Sequence, residues 1–464
     1  MSGRQRTFAI KTYGCQMNEH DSERLAGLLV ADGLVAAERL EDADVIVLNT
    51  CAIRENADHK LMGHLGELKA LREANPGLQI AVGGCLAQMD PARIRERAGH
   101  VDVVFGTHNL AAAPELLRRA QGEGPIVEVL SGPRSGADEL APALSAVRDV
   151  PWAAWMTIQS GCDNSCAFCI VPSVRGPEVS RPMADLVAEA STLASRGVRE
   201  LTVLGQNVNS YGRDLTKRRP LFAELLRALG EIDGIERIRF TSPHPKDLRD
   251  ETIAAMAEVP AVCEQLHLPL QSGSDRVLSA MRRGYTAQRY LARLERARAA
   301  IDDLAVTTDL IVGFPGETDA EFDETLAVVA EAGFDSAFTF EFSARPGTRA
   351  AMDPSAFVDA AVVKERFARL VEVVERSAVR RNEARVGRVE EVLVEGPSRK
   401  DPAVLTARTR QGKPVHFDPG ASDVAVGSLA NVEIVHGAPH HLLGELAGVT
   451  SAPRHRTRIP IAAR

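Results

Sequence analysis

The segment Trp155-Met-Thr-Ile-Gln-Ser-Gly-Cys162-Asp-Asn-Ser-Cys166-Ala-Phe-Cys169 joins a strand-like run to a loop that contains three cysteines. Soft thiolate ligands select zinc or an iron–sulfur cluster, and three of them in one short loop can hold one polynuclear centre. The spacing differs from the paired cysteines of zinc ribbons and from the ferredoxin patterns, and it lacks a nearby fourth cysteine. The loop therefore predicts a metal cluster, with a zinc site that borrows a distant fourth ligand as the alternative.

Strand-like and helical patterns continue to alternate beyond this loop, which predicts a parallel α/β fold. With the run before Cys162 there are six such units, and eight would close a TIM barrel. We therefore expect a partial barrel whose function lies at the carboxyl ends of its strands. The five later strand candidates are residues 200–204, 237–241, 265–270, 305–312 and 336–342.

Three further cysteines, Cys15, Cys51 and Cys85, each follow a strand-like run in the first part of the chain. Helical patterns separate these runs, which predicts an open parallel α/β sheet with its ligand outside the carboxyl ends of the strands. We therefore expect the three cysteines to meet at one edge of the sheet. A cluster held by three thiolates leaves one iron free for an outside ligand, whereas a zinc site would add His20 or His59. Three small buried apolar residues are the remaining alternative.

The last part of the chain has a different pattern. Beyond about residue 379, short strands separated by turn signals predict a small antiparallel β-barrel, preceded by a long helical stretch at 360–384. Residues 381–464 carry a net charge of +3, whereas residues 1–380 carry −11. A small basic barrel commonly binds RNA by stacking and phosphate contacts, and an ordinary solvated barrel is the alternative.

These patterns predict a division of the chain into five segments. They are an α/β domain at 1–125, a linker at 126–148, a partial barrel at 149–379, a small β-barrel at 380–449 and a flexible basic tail at 450–464. Cys263, His244 and His267 fit structural roles better than catalytic ones.

The composition is that of a soluble globular protein, with 464 residues, 45% of them hydrophobic and a net charge of −8. The acidic total at first argues against a nucleic-acid partner. The start of the chain is polar, and no stretch approaches the ~20 apolar residues of a membrane helix. We expect a cytoplasmic protein, whose closely spaced cysteines serve metal or redox chemistry rather than disulfides.

The loop pattern Cys162-x3-Cys166-x2-Cys169, with Phe168 before the last cysteine, resembles the signature of the radical S-adenosylmethionine (SAM) enzymes. From about residue 6 to 448, the chain is similar to the methylthiotransferases, a family of these enzymes, and its tail resembles that family's RNA-binding TRAM domain. The motifs that carry this resemblance are Lys11-Thr-Tyr-Gly-Cys-Gln-Met-Asn18, Asn49-Thr-Cys-Ala-Ile-Arg54, Gly83-Gly-Cys85, Val171-Pro-Ser-Val-Arg-Gly176 and Gly205-Gln-Asn-Val208.

The resemblance implies two [4Fe–4S] clusters and a catalytic role for both cysteine sets. The bunched triad (Cys162, Cys166 and Cys169) would hold the cluster that cleaves SAM, and the spread triad (Cys15, Cys51 and Cys85) would hold a cluster that carries or supplies sulfur. One SAM would supply the methyl group and another the radical. The expected SAM-binding residues are Phe168, Gln206, Asn207, Gln271, Ser272, Asp309 and Gly313.

The segments Gly14-Cys-Gln-Met-Asn18, Glu178-Val-Ser-Arg-Pro182 and Gln206-Asn-Val-Asn209 are similar to the MiaB type of this family. That type adds a methylthio group at C2 of N6-(dimethylallyl)adenosine at position 37 of tRNA, beside the anticodon. Sister enzymes with the same cysteines act on threonylcarbamoyladenosine in tRNA or on an aspartate of a ribosomal protein. The rival from another class is an Fe–S protein that binds tRNA or senses redox state. The resemblance implies tRNA, SAM and a reducing electron donor as partners of a monomeric, membrane-free enzyme.

Overall fold

The computed structural model describes residues 5–52, 55–132, 146–148 and 150–454. Six strands form its N-terminal sheet: β1 (Thr7–Tyr13), β2 (Val35–Ala36), β3 (Val45–Thr50), β4 (Gln79–Gly84), β5 (Val103–Phe105) and β6 (Ile126–Glu128). Every neighbouring pair is parallel, and the spatial order is β2-β1-β3-β4-β5-β6. The predicted open parallel sheet is confirmed. The short edge strands β2 and β6 were not predicted, and β6 lies in the segment that we assigned to the linker.

Helices cover both faces of this sheet: α1 (Gln16–Ala31), α2 (Glu55–Ala74), α3 (Cys85–Met89), α4 (Pro91–Arg97) and α5 (Ala113–Glu123). The central strands β3 and β4 are buried along their whole length. Their side chains alternate between two cores, one shared with α1 and α5 and the other with α2 and α4. This burial on both faces explains why both strands are continuous apolar runs in the sequence.

The middle of the chain forms the predicted six-stranded partial barrel: β7 (Ala153–Thr157), β10 (Glu200–Leu204), β11 (Arg237–Phe240), β12 (Gln265–His267), β13 (Ala305–Val312) and β14 (Ser336–Glu341). These strands pair in two parallel groups of three, and the Ile238–Val262 bridge joins the groups. Two short strands, β8 (Gln159–Ser160) and β9 (Val179–Ser180), form a separate antiparallel pair. The accompanying helices are α6 (Val171–Arg175), α7 (Met183–Ser195), α8 (Phe222–Gly230), α9 (Asp250–Glu258), α10 (Asp275–Ala280), α11 (Ala287–Ala300) and α12 (Asp319–Ala332).

A long helix, α13 (Ala360–Glu383), leads to a closed five-stranded barrel of β15 (Val389–Pro397), β16 (Leu405–Thr409), β17 (Pro414–Asp418), β18 (Leu429–Gly437) and β19 (Leu442–Ser451). Two features differ from the prediction. The barrel closes through a parallel β17–β19 pair, and β19 was missed, so that the barrel extends past our boundary at 449. The part of the basic tail beyond 454 lies outside the described residues.

The small barrel docks at the amino ends of the partial-barrel strands. Arg237 and Arg239 are buried side chains of β11, and their guanidinium groups donate to backbone carbonyls of the small barrel. Arg237 Nη1 lies 2.8 Å from the Arg408 oxygen, and Arg239 Nη2 lies 2.8 Å from the Thr409 oxygen. The carboxyl ends of the strands therefore remain the side available for chemistry.

Candidate iron–sulfur and SAM site

The bunched triad lies in a loop that β8 and β9 close at its base. Gly161 follows β8 with a φ of +75°, and a Cβ atom there would collide with the carbonyl oxygen of Pro177. The Cys162 N–H then donates to the Gly176 carbonyl at 3.1 Å. The glycine before the first cysteine is therefore required by the close approach of the two chain segments.

Backbone hydrogen bonds fix the tip of this loop to the partial barrel. The Ala167 N–H donates to the Met281 carbonyl, and the Ala350 N–H donates to the Ala167 carbonyl, both at 2.9 Å. Burial raises the pKa of the Cys162 thiol to about 12 and that of the Cys169 thiol to about 11. Both thiols must lose their protons when they bind iron.

A buried arginine reaches the middle cysteine of the loop. Arg283 Nη1 lies 3.3 Å from the Sγ atom of Cys166. The same guanidinium donates to the Tyr285 hydroxyl at 3.1 Å and to the Pro269 carbonyl at 3.2 Å, which fixes its orientation. Hydrogen bonds to ligand sulfurs and nearby charge are among the factors that set the potential of an iron–sulfur cluster.

The spread triad meets at the carboxyl edge of the N-terminal sheet, as predicted. Cys15 immediately precedes α1, Cys51 directly follows β3, and Cys85 is the first residue of α3, directly after β4. A hydrogen bond with Cys51 lowers the pKa of the Cys15 thiol to about 6 against the effect of burial, and the positive Arg175 contributes in the same direction. A thiol with a lowered pKa beside a cation is unlike the small apolar residue of the alternative interpretation.

A glycine and two asparagines allow the loops that carry Cys15 and Cys51 to lie close together. A Cβ atom at Gly14 would lie 2.5 Å from Asn18 Oδ1 and 2.8 Å from the Cys51 Cβ. Asn49 Nδ2 donates to the Asn18 carbonyl at 2.8 Å, and Asn18 Nδ2 donates to the Thr50 carbonyl at 3.2 Å. The two asparagines therefore tie the Cys15 loop to the Cys51 loop.

The arrangement of the thiols in both triads is compatible with a cluster. Across the ranges that the structure describes, no three His, Cys, Asp or Glu side chains are arranged around one metal ion. The thiolates of a [4Fe–4S] cluster each bind a different iron, so they need not converge on one point. Of the two proposed zinc ligands, His20 lies with its Nδ1 2.8 Å from the Thr157 hydroxyl, and His59 is exposed.

The short helix α6 brings the two triads together. It begins two residues after Cys169, and Ile170 and Val174 pack against Ala52 and Cys85 in one apolar cluster. The Thr107 hydroxyl also donates to the Val174 carbonyl at 2.6 Å. The segment that carries the bunched triad thus forms one wall of the site that contains the spread triad.

Two of the predicted SAM contacts, Ser272 and Gly313, pack against other parts of the chain in this structure. Ser272 is fully buried, and its hydroxyl lies 3.2 Å from the Thr325 hydroxyl. Gly313 has a φ of +76°, and a Cβ atom there would lie 2.5 Å from the Val363 side chain, so a glycine at this position permits close packing against α13. A role of Ser272 or Gly313 in SAM binding stays a prediction.

The other predicted contacts lie at the carboxyl ends or on the inner face of the strands. Phe168 packs against the apolar cluster of Val277, Met281 and Phe314, and Gln206 is half-buried. Asn207 is buried; its Nδ2 donates to Asp247 at 2.9 Å, and its Oδ1 has no partner.

Gln271 and Asp309 lie close to each other at the mouth of the barrel. Gln271 has a φ of +71°, an unusual value for glutamine that signals strain at the strand end, and its N–H donates to the Asp309 carbonyl at 2.8 Å. The half-buried Asp309 carboxylate lies 3.4 Å from His267 Nε2. Arg175 and Arg283 were not predicted as functional residues, since nothing local in the sequence distinguishes an arginine beside a cysteine thiol from a surface one.

Three family models match separate parts of the chain. They describe an uncharacterized protein family, UPF0004, at residues 7–106, the radical SAM superfamily at 156–329 and the TRAM domain at 383–447. A protein of Mycolicibacterium smegmatis named tRNA-2-methylthio-N(6)-dimethylallyladenosine synthase is 50% identical, over 98% of this chain and 90% of its own length. The chain belongs to the tRNA-2-methylthio-N(6)-dimethylallyladenosine synthase family. A second member of this synthase family, from Mycobacteroides abscessus, is also 50% identical, over 97% of this chain and 90% of its own length.

A solved structure supports the fold of this synthase family member. The radical S-adenosylmethionine methyltransferase TsrM from Kitasatospora setae, bound to cobalamin and a [4Fe–4S] cluster, superposes with a TM-score of 0.54 at 14% identity. The match covers 75% of this chain and 74% of TsrM. The radical SAM module implies one [4Fe–4S] cluster and SAM. Among the described residues, no helix is long and apolar enough to cross a membrane.

Proposed function

We propose that this protein methylthiolates C2 of N6-(dimethylallyl)adenosine at position 37 of tRNA. The observation that carries the proposal is the packing of α6, the helix that directly follows the bunched triad, against Cys85 of the spread triad, in a chain of the synthase family. The bunched triad binds the [4Fe–4S] cluster that acts on SAM, and the spread triad binds a second [4Fe–4S] cluster that carries or supplies sulfur. We assign the catalytic and metal-binding roles to these six cysteines.

The chemistry explains why the site needs cofactors. The C2–H bond of adenine is unactivated and has no leaving group, so polar catalysis by side chains offers little. When bound, the cluster at the bunched triad supplies an electron that cleaves SAM and gives a radical able to remove this hydrogen. The adenosine must be unstacked from the anticodon loop to enter the barrel mouth.

The residues of the chain bind and orient the reactants. We propose that Phe168, Gln206, Asn207, Gln271 and Asp309 contact SAM at the mouth of the barrel. The unpartnered Asn207 Oδ1 supports this assignment, because a buried amide oxygen without a donor is costly and a bound ligand can supply one. Arg283 holds a positive charge against the Cys166 sulfur.

The C-terminal TRAM domain supports a tRNA substrate. We propose that the TRAM barrel contributes phosphate contacts to the tRNA, that an external reductant supplies electrons and that the enzyme acts as a cytoplasmic monomer. The N-terminal domain, the partial barrel and the TRAM barrel then correspond to residues 1–128, 150–379 and 380–451.

Analysis of tRNA nucleosides tests the reaction most directly. In a strain that lacks this protein, mass spectrometry should show the loss of 2-methylthio-N6-(dimethylallyl)adenosine and the accumulation of N6-(dimethylallyl)adenosine. Unchanged nucleosides, together with the loss of a methylthio group from a ribosomal protein, would assign the enzyme to the sister reaction. Loss of methylthiolated threonylcarbamoyladenosine would do the same for the other tRNA substrate.

Iron content tests the two sites. After anaerobic reconstitution, the intact chain should contain about eight irons, and replacement of either triad by alanine should leave about four. Cys263→Ala is the matched control, because Cys263 is buried beside β12 and belongs to neither triad. A full chain that contains only about four irons would contradict the second cluster.

A further inference from the structure

A buried arginine of the partial barrel reaches into the site of the spread triad. Arg175 ends α6, six positions after Cys169, and is only 7% exposed. Its Nη2 donates to the Asp21 carboxylate of α1 at 2.7 Å. Val174, the residue before Arg175, packs against Cys85, and the positive charge of Arg175 lowers the pKa of both the Cys85 and the Cys15 thiols against the effect of burial.

The buried positive charge of Arg175 favours a negatively charged group beside it. A guanidinium remains protonated at all relevant pH values, and a buried charge needs compensation. Asp21 supplies one negative charge, which Arg24 shares at 3.8 Å. Thiolates at Cys15 and Cys85, which a cluster requires, add negative charge on the side of Arg175 that faces the triad. A sulfur-ligated anionic centre at the spread triad would therefore complete the compensation of Arg175.

We propose that Arg175, oriented by Asp21, is a positioning residue that donates to the Cys85 ligand sulfur and stabilises the reduced, more negative state of the N-terminal cluster. Positive charge and hydrogen bonds to ligand sulfurs raise the reduction potential of an iron–sulfur cluster. Since Arg175 belongs to the segment that also carries the bunched triad, it fixes the N-terminal cluster relative to the SAM site. This inference rests on the proposed second cluster.

The test isolates that cluster in the full-length chain. Replacement of Cys162, Cys166 and Cys169 by alanine leaves one cluster site, and about four irons in this background support the second cluster independently of Arg175. A redox titration followed by electron paramagnetic resonance then gives the midpoint potential. We expect Arg175→Met to shift the midpoint to a more negative value and Arg175→Lys to shift it less.

Arg181→Met in the same background is the matched control. Arg181 is also a buried arginine, and it is held by Glu189 at 2.6 Å rather than by a thiol, so its loss should leave the midpoint unchanged. Loss of iron in Arg175→Met with retention in Arg175→Lys would support a requirement for the positive charge. An intact cluster with an unchanged midpoint, or equal loss of iron in both variants, would overturn the role of Arg175. A background without iron would overturn the second cluster, and the role of Arg175 with it.

Discussion

Each cysteine triad has one buried arginine beside a thiol: Arg175 at Cys85 and Arg283 at Cys166. The two arginines come from different elements, and each is held in place by hydrogen bonds on its other side. Because each guanidinium is already held in place, it can stabilise negative charge on one sulfur without a further loss of side-chain entropy. Residues of this kind tune a metal site without belonging to its ligands.

Arg283→Met should slow the reductive cleavage of SAM in the absence of tRNA. The substitution removes the donor to Cys166 and the local positive charge, and loss of such outer partners typically costs about 10–100-fold in activity or metal affinity. Formation of 5′-deoxyadenosine by the reduced enzyme measures the effect. Arg296→Met is the control, since Arg296 pairs with Asp250 on the surface. Equal rates in the Arg283 variant and the control would contradict the prediction.

Two buried histidines should make the folded chain sensitive to acid. Burial lowers the pKa of His20 to about 3 and that of His244 to about 2. An unfolded histidine titrates near about 6.5, so the unfolded chain binds more protons below that pH. The stability that the neutral rings contribute is present above about pH 6.5 and is lost as the pH falls toward 3, at about 1.4 kcal/mol per pH unit for each ring.

Urea unfolding at several pH values measures this loss. The midpoint should fall between pH 7 and 5, and His244→Gln, which cannot titrate, should reduce the slope even where it lowers stability at all pH values. A midpoint that does not change with pH in the unmodified chain would contradict the assignment.

At the scale of elements, the positions of strands that are buried on both faces are predictable from the sequence. The positions of short strands that form only through pairing with another strand are not. The runs behind β3 and β4 are mostly apolar and buried along their whole length, and their positions were predicted within about two residues. The two-residue strands β8 and β9 are too short to show a strand pattern in the sequence, and they pair with each other across the cysteine loop. In the strand β19, Gly444 packs against β18 and most other side chains are exposed or half-buried, so its sequence lacks a clear apolar alternation.

The β8–β9 pair should be essential for the bunched triad. Gly161→Ala adds a Cβ atom where the Pro177 carbonyl already lies, at a positive φ that costs a non-glycine residue about 1–2 kcal/mol by itself. We expect the variant to lose about half of its iron and its SAM cleavage. Gly33→Ala has a similar φ of +91° with open space around it, so it should retain both. Full iron content in Gly161→Ala would show that the loop does not depend on this close approach.

At the scale of the whole molecule, the net charge is a poor guide to RNA binding. Most basic side chains of the TRAM barrel face acidic partners within the chain: Arg385 and Arg388 pair with Asp303, Arg408 with Glu395, Arg410 with Glu264 and Lys413 with Asp335. The +3 of the tail in the sequence analysis therefore overstates the charge available to phosphates.

The loop between β15 and β16 retains two exposed cations, Arg399 and Lys400. Their replacement by serine should weaken tRNA binding and reduce the salt dependence of the logarithm of the binding constant by up to about 2 units of slope. Filter binding or anisotropy over a range of salt concentrations measures both quantities. Arg376→Ser, which removes a surface arginine paired with Glu372 on α13, is the control. An unchanged slope in the double variant would place the phosphate contacts elsewhere.

The contact of Arg175 with the N-terminal domain also affects the order in which the site of the spread triad is assembled during synthesis. During translation, Cys15, Cys51 and Cys85 leave the ribosome before Arg175, which follows Cys85 by about 90 residues. The nascent N-terminal sheet can fold with its cysteines in place, but the arginine that closes their site arrives only with the first units of the barrel. For the proposed second cluster, we therefore expect iron to be bound securely only after synthesis of the next domain, and a truncated chain that ends before α6 should bind this cluster poorly.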